Sequence, residues 1–257
     1  MSDYLMRDQA PLGVEVWKAI DGMVAEVITK TVVGRRLLKV VGPLGWGVEQ
    51  APVPGFEKVG EAWVTGEAPT FVPLQTATAG FMLRMKDLAR ADQTPFALDL
   101  GAVATAAVEL ARKEDGIVLQ ALLDSAAKGA MGDWTTINGP FSAIANAEAD
   151  LRARGFDGPY ALVVNYGTYA QLASLMSEGQ RELKLVEHLV EDGIFRSSLV
   201  PEGKALLVDP AGWNADIVLG QDVATAFLGN DGLNLVFQVI ETLAVRVKRA
   251  GSAVLLS

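Results

Sequence analysis

The sequence predicts an α+β fold, and three observations carry the prediction. Half of the 257 residues are hydrophobic, enough to build a large core. Helical and strand-like patterns follow each other without a regular strand–helix–strand rhythm, which favours α+β over a doubly wound sheet. Residues 42–80 are broken by glycine and proline, which predicts a hairpin-like projection. Long projections from compact proteins usually serve function or subunit contacts.

The first helix is predicted over residues 13–32. Trp17, Ile20, Val24, Val27 and Ile28 recur at three- and four-residue steps, so they form one apolar stripe. Such a stripe is typical of a helix that packs on a core.

The longest helix is predicted over residues 100–127 and would span about 40 Å. Glu114 and Asp115 are adjacent in it and point about 100° apart, so they do not form an acid–base pair. We expect them instead to make a subunit contact or to pair with Arg112, Lys113 or another chain's arginine.

The remaining elements are shorter. Helical patterns recur in the second half of the chain, over residues 141–154, 168–176 and 182–189. Strand patterns cover residues 62–65, 70–72, 160–164, 205–208, 216–219, 233–239, 243–247 and 253–256.

Composition excludes several kinds of chemistry. The chain has no cysteine, which excludes disulfides, cysteine-ligated metals and a cysteine nucleophile. His188 is its one histidine. It could act as the general base of a serine-type enzyme, but no recognisable nucleophile lies near it in sequence, so we favour a polar position on a helix face. The net charge of −9 argues against a nucleic-acid-binding surface.

Two further sets of residues leave alternatives open. Asp209, Asp216 and Asp222 could imitate a metal cluster, and we favour structural roles for them. Four aromatic residues in or beside the projection could stack on a flavin or nucleotide, or they could anchor the projection on a neighbouring subunit, which we favour. They are Trp46, Trp63, Phe71 and Phe81. We therefore predict no catalytic residue, no metal site and no cofactor.

No segment predicts a membrane span. The longest charge-free stretch, residues 158–177, contains several polar residues. The first residues lack the basic and apolar pattern of a signal peptide. We expect a soluble, cytoplasmic protein whose surplus of apolar residues is buried within the fold or between subunits.

An ordered series of short motifs resembles one known family. In sequence order they are Ala10-Pro11-Leu12, Trp17-x-x-Ile20-Asp21, Gly34-Arg35-Arg36, Val41-Gly42-Pro43-Leu44-Gly45-Trp46, Glu114-Asp115, Gly158-Pro159-Tyr160-Ala161-Leu162-Val163, Leu219-Gly220-Gln221-Asp222 and Glu241-Thr242. The series covers nearly the whole chain and resembles the encapsulin shell proteins of the classical, linocin- or bacteriocin-like type.

The resemblance implies an HK97 phage-capsid-like subunit with a peripheral domain, an extended loop and an axial domain. The peripheral domain would carry the first helix and the long helix. The implied division is peripheral domain 1–47, extended loop 48–80, peripheral domain 81–133, axial domain 134–221 and peripheral domain 222–257.

The resemblance also implies a function. Such subunits assemble with themselves into a closed icosahedral shell of about 60 copies or a multiple. The shell encloses a cargo enzyme, such as a ferritin-like protein or a dye-decolourising peroxidase, captured by a C-terminal peptide. It would have no catalysis of its own and would bind neither nucleic acid nor membrane. A viral capsid protein of the same fold and a peptidase using His188 remain the alternatives.

Two sets of site residues follow from the resemblance. The implied cargo-peptide groove would involve Val27, Thr31, Arg35, Lys39, Asp222 and Val223, with Lys39 where the family pattern leads us to expect an acidic residue. The implied pore loop is Ser177, Glu178, Gly179, Gln180 and Arg181, and it lacks the family's His-Tyr-Pro pattern. Trp63 does not match the spacing of the flavin-binding tryptophan of some relatives, so that flavin site is not carried over to this chain.

Overall fold

The computed structural model describes residues 4–59, 63–177 and 180–257 and confirms the α+β class. A short 3₁₀ helix, Arg7–Gln9, precedes the α-helices. The α-helices are α1 Val14–Thr31, α2 Gly34–Leu37, α3 Met85–Gln93, α4 Gly101–Ser125, α5 Gly139–Ala153, α6 Tyr166–Ser174 and α7 Glu182–Glu187. The strands are β1 Lys39–Val41, β2 Gln50–Val59, β3 Trp63–Pro73, β4 Gln75–Arg84, β5 Ala127–Gly129, β6 Ala161–Val164, β7 Met176–Ser177, β8 Gln180–Arg181, β9 Gly193–Arg196, β10 Ala205–Val208, β11 Ala215–Leu219, β12 Ala224–Asp231, β13 Asn234–Val247 and β14 Ala253–Leu256.

The first sheet is built around β13. One edge of β13 pairs with β4, and the other pairs with β11 and then β12, while β1 adds to β11 in parallel. Helices α1 and α4 pack on this sheet and on each other. Phe237 lies at the centre of the resulting core, stacked 5.1 Å from Phe81 and in edge contact with Trp17 at 5.6 Å. The apolar stripe predicted for the first helix is therefore a core-facing stripe.

The second sheet has the order β5-β14-β10-β6-β9. Its central strands β6 and β10 are continuous apolar runs, and every residue of both is buried. A strand covered on both faces shows this kind of run. Helices α5 and α7 pack together beside this sheet and build a second core with Tyr160 and Leu172.

Strands β2 and β3 pair with each other as a two-stranded projecting hairpin. The sequence predicts two short strands here, over 62–65 and 70–72, but a single strand spans Trp63–Pro73. The error comes from Pro69, which in the sequence pattern indicates a break. Pro69 lies at an irregularity of the pairing, between the Val53–Thr70 and Gly55–Glu67 partners, and a proline is tolerated at such a bulge.

Two further expectations change in the first sheet. The strands predicted over 233–239 and 243–247 are one strand, β13, because Glu241 and Thr242 are buried and bonded rather than exposed in a turn. Residues 75–80, which the implied division assigns to the extended loop, form the first part of β4 and pair with β13. None of the described helices has the length and apolarity needed to cross a bilayer.

Candidate functional site

A cavity of about 420 Å³ opens between α1 and the start of β12. We call it the α1/β12 groove. Its lining combines one face of α1 with the chain before and within β12. The lining residues are Arg7, Asp21, Val24, Ala25, Ile28, Thr29, Arg35, Asp222, Val223, Ala224 and Thr225.

The groove has an apolar middle between charged groups. Val24, Ala25 and Ile28 line it from successive turns of α1. At one end of the groove, Arg7 and Asp21 form a two-pronged ion pair with N–O distances of 3.1 and 2.6 Å. Beyond the end of α1, Arg35 donates to Asp222 at 2.9 Å. An extended apolar segment with polar ends fits such a surface.

Arg35 joins the groove to the interior. Its guanidinium donates to Glu114 on α4 at 2.7 Å, to Asp222 at 2.9 Å and to Glu241 on β13 at 2.5 Å. We call these four residues the Arg35 cluster. The Glu114 and Glu241 side chains are 0% exposed, whereas that of Asp222 is 47% exposed. Burial alone would lower the pKa of Arg35, but the three carboxylates raise it, so the guanidinium stays charged.

The two buried glutamates share one cation, and their protonation reflects this. Burial, the charge of Glu114 and a hydrogen bond between the two carboxyls raise the pKa of Glu241 to about 8, against the opposing effect of Arg35. The second oxygens of Glu114 and Glu241 are both buried without another partner among the described residues. At neutral pH Glu241 therefore keeps its proton, which it shares with Glu114 in that hydrogen bond.

Asp115 performs a different task from its neighbour Glu114. Its carboxylate accepts hydrogen bonds from the backbone N–H of Val33, at 2.9 and 3.0 Å, and of Gly34, at 2.7 Å. It therefore caps the start of α2, which places Arg35. Burial raises the pKa of Asp115, although these backbone donors oppose the shift. The expectation of a subunit contact or a pairing with Arg112 or Lys113 is wrong for Glu114 and Asp115, because α2 packs directly over this turn of α4.

The structure brings together half of the residues expected in the groove. Arg35, Asp222 and Val223 line it. Val27 packs against the first core on another side of α1. Thr31 lines a separate cavity with Arg36 and Phe195. Lys39 is exposed on β1, which pairs with β11 rather than β12.

Sequence reasoning missed most of the remaining lining. Val24 and Ile28 belong to the predicted apolar stripe, which the sequence pattern assigns only to the core. Asp21, Ala25 and Thr29 follow at four-residue spacing, and this second row on α1 is the signal that could have revealed the groove. The lining residues on β12 carry no such signal in the sequence.

The expected pore loop is only partly described. Ser177 and Gln180 pair in the short β7–β8 hairpin, and Arg181 follows in β8, while Glu178 and Gly179 lie outside the described residues. The other candidates have separate places. His188 is exposed at the end of α7. Asp216 binds Arg246 and Lys248, each at 2.7 Å, and these bonds hold its pKa low against the effect of burial.

The three aspartates that could imitate a metal cluster do not converge. Asp209 accepts hydrogen bonds from the backbone of Gly158 and Ala211, away from both Asp216 and Asp222. Within residues 4–59, 63–177 and 180–257, no group of three potential ligands has the arrangement of a metal site. The aromatic residues are also dispersed: Phe81 is core, whereas Trp46 and Phe71 are exposed. The side chain of Trp63 lies outside the described part.

Comparison with solved structures defines the fold. The chain superimposes on a virus-like particle subunit from Pyrococcus furiosus with a TM-score of 0.82 at 19% identity, covering 95% of this chain and 100% of the other. It matches the Mycobacterium phage Che8 structure with a TM-score of 0.60 at 15% identity, over 88% and 91% of the two chains. The protein is thus a subunit with the HK97-like capsid fold.

Sequence comparison defines the family. Residues 1–244 match the family described as "Encapsulating protein for peroxidase". The chain is 30% identical to a type 1 encapsulin shell protein of Myxococcus xanthus, over 96% of this chain and 94% of the relative. It is 31% identical to a diheme-cytochrome–encapsulin shell fusion protein of Kuenenia stuttgartiensis, over 91% of this chain and 70% of the relative. The chain belongs to this family and is an encapsulin shell protein.

Proposed function

We propose that this protein assembles with itself into a closed icosahedral shell of about 60 copies or a multiple, in the cytoplasm. The shell encloses a cargo enzyme whose C-terminal tail binds in the α1/β12 groove. The shell itself has no catalytic activity and packages no nucleic acid. The observation that carries the cargo proposal is the groove itself, an apolar strip on α1 closed at each end by an ion pair.

The projecting hairpin supports assembly. Phe56, Val64 and Phe71 on β2 and β3 are 57%, 66% and 61% exposed. Large apolar side chains on a two-stranded ribbon find too little cover within their own subunit. We propose that β2–β3 is the extended loop and lies on neighbouring copies, while the second sheet with α5–α7 forms the axial domain.

The names of the family and of one relative point to a redox protein as the cargo. The family description names a peroxidase, and one relative is a shell fused to a diheme cytochrome. We propose a peroxidase of the dye-decolourising type or a ferritin-like protein, matching the expectation from the sequence. Both would supply redox chemistry that a chain without cysteine and with one histidine lacks.

The first experiment asks whether shells form and what they contain. Particles purified from the source organism are imaged by electron microscopy, and their contents are identified by mass spectrometry and ultraviolet absorbance. We expect closed particles with one enriched enzyme and no nucleic acid. Open oligomers alone would contradict the assembly proposal, and a nucleic-acid content would favour a viral capsid.

The second experiment tests the groove with a matched pair of variants. Ala25 is exposed in the groove, and Ala19 is exposed on the same helix outside it. A fluorescent protein carrying the last 30 or so residues of the identified cargo is co-expressed with each shell. We expect Ala25→Asp to reduce loading at least tenfold, because a carboxylate then lies in the apolar middle of the groove, while Ala19→Asp loads normally.

Equal cargo loading of the Ala25→Asp and Ala19→Asp shells would show that the tail binds elsewhere. Val27→Asp is not suitable for this test, although Val27 was expected in the groove. Val27 packs against the first core, so that change would destabilise the subunit.

A further inference from the structure

A second cavity, of about 340 Å³, lies between the end of α1 and strand β9. We call it the α2/β9 cavity. Thr31 at the end of α1 and Arg36 on α2 line it from the side of the first core. Tyr166 on α6 and Arg196 on β9 line it from the side of the second sheet. The cavity therefore joins the elements of the two cores, and its volume is in the range of sites for small ligands.

The lining of this cavity has a strongly positive charge. Lys30, Arg36 and Arg196 all contribute to it, and none of the described lining residues is acidic. The chain as a whole has 31 acidic against 22 basic residues, so the cavity reverses the charge balance of the protein. Like charges around one cavity repel each other, and an anion bound between them removes that repulsion.

Aromatic rings, and not carboxylates, hold the two arginines in place. The guanidinium carbon of Arg36 lies 5.8 Å from the ring centre of Phe195. That of Arg196 lies 4.9 Å from the ring centre of Tyr169. Arg36 also donates its Nε–H to the Val32 carbonyl at 2.9 Å. A ring contacts the face of a guanidinium, so the N–H groups in its plane remain available for a ligand.

Two carboxylates lie near these cations, and both have other partners. Glu26 pairs with Lys30 on the exposed face of α1, and an exposed pair of this kind is weak. Burial raises the pKa of Asp115, and the charge of Arg36 opposes this shift less than the backbone donors at the start of α2 do. Neither carboxylate lines the cavity. The positive charge is therefore not neutralised by the described side chains.

We propose that the α2/β9 cavity binds a small phosphate monoester, with the phosphate between Arg36 and Arg196 and the organic part against the ring of Tyr166. A guanidinium presents N–H donors in a planar fork that matches two oxygens of a phosphate. Lys30 adds a third positive charge, which suits a phosphate dianion better than a single carboxylate. Tyr166 is 58% exposed and lines the same cavity, so its ring is accessible to the organic part.

A ligand in this position would contact both cores of the subunit. Because it binds the folded chain and not the unfolded one, it should raise the temperature of unfolding as its concentration rises. One chain supplies the lining, so the proposal depends neither on assembly of a shell nor on capture of a cargo. Its test can therefore succeed or fail independently of the proposed function.

The test is the binding of radiolabelled inorganic phosphate to the purified full-length protein, measured by equilibrium dialysis at low ionic strength. Ribose 5-phosphate and ribose serve as competitors. We expect saturable binding of about one phosphate per subunit, displaced by ribose 5-phosphate and not by ribose. The absence of saturable binding at millimolar phosphate, or equal displacement by ribose, would overturn the proposal.

Three variants that each remove one positive charge locate the site. We expect Arg36→Gln and Arg196→Gln to weaken phosphate binding about tenfold or more, because each removes a charged donor pair. Arg112→Gln is the matched control, since Arg112 is exposed on α4 and does not line the cavity, and it should bind within about twofold of the parent. Circular dichroism confirms that each variant is folded. Equal weakening by all three variants would show attraction to net charge only and would overturn the site.

A further variant and a further probe define the ligand. Tyr166→Ala should weaken ribose 5-phosphate about threefold and leave inorganic phosphate within about twofold, because only the sugar contacts the ring. Unchanged affinity for ribose 5-phosphate would contradict that contact. If a single-stranded oligonucleotide bound more tightly than ribose 5-phosphate and lost this affinity in Arg36→Gln, the partner would be a nucleic acid, and the proposal of a small ligand would be overturned.

Discussion

The α1/β12 groove and the β2–β3 hairpin differ in how far their side chains are paired or covered within one subunit. Around the groove, four charged residues of the Arg35 cluster lie partly or fully buried, and each is paired within the subunit. On the hairpin, Phe56, Val64 and Phe71 are exposed, and nothing in the subunit covers them within the described residues. The groove is therefore lined by one copy alone, whereas we propose that other copies cover the hairpin. We therefore expect the proposed cargo binding and the proposed assembly to be separable by mutation.

The largest expected effect tests the hairpin side of this comparison. Phe56→Asp combined with Phe71→Asp places charges where neighbouring copies would cover aromatic rings, so we expect closed particles to be lost. The subunit should keep its circular dichroism and its cooperative thermal unfolding, because neither side chain belongs to a core. Electron microscopy and analytical ultracentrifugation measure the outcome.

Thr65→Asp combined with Thr70→Asp serves as the control, since both threonines are exposed on β3. It adds the same charge without removing an aromatic ring. If the threonine variant also stopped assembly, charge alone would be responsible. If the phenylalanine variant still assembled, the hairpin would not hold the shell together.

The second prediction tests the groove side. It is measured in the Phe56→Asp, Phe71→Asp double variant, so that unfolding is followed in single subunits. Arg35→Met leaves Glu114 and Glu241 buried without their cation. We expect the free energy of unfolding to fall by about 3–5 kcal/mol at pH 8, as measured by urea denaturation. The loss should be smaller at pH 5, where protonation removes the uncompensated charge.

Arg112→Met provides the comparison for that measurement. Arg112 pairs with Glu109 on the exposed face of α4, with side chains 63% and 50% exposed. Removing an exposed pair should change the free energy of unfolding by less than about 1 kcal/mol. Equal effects at Arg35 and Arg112 would show that the buried cluster contributes no more to the free energy of unfolding than an exposed ion pair does.

The smallest expected effect concerns the shared proton. Because the pKa of Glu241 is raised to about 8 from 4.5, the folded subunit holds a proton that the unfolded chain releases above about pH 4.5. Stability is therefore lost as the pH rises from about 4.5 to about 8 and is constant above that range, as far as Glu241 is concerned.

Glu241→Gln should remove this dependence, because the amide donates to Glu114 and accepts from Arg35 without ionising. We expect the variant and the parent to melt alike near pH 5 and the variant to melt higher at pH 8–9. Glu109→Gln, at an exposed pair, should leave the two pH profiles parallel. A difference between Glu241→Gln and its parent that does not change with pH would contradict the shared-proton account.

Much of the fold could be predicted from sequence because its signals are local. The periodicity of Ile20, Val24 and Ile28 predicts α1 within one residue at each end, and the apolar runs of β6 and β10 predict strands at these positions. The interpretation failed where a polar residue is buried by distant partners. Glu241 and Thr242 interrupted an apparent strand, yet β13 runs through them because Arg35 and residues 220–221 satisfy them.

The sequence by itself determined the family, the α+β class and the existence of a projecting hairpin, since these depend on local patterns and on motif order. Only the tertiary structure decided which residues form the groove. Arg35 meets partners 79, 187 and 206 residues away in the chain, and Thr225 on β12 lines the groove opposite α1. Such convergence depends on how α1, α4 and the first sheet pack, and no local pattern in the chain records that packing.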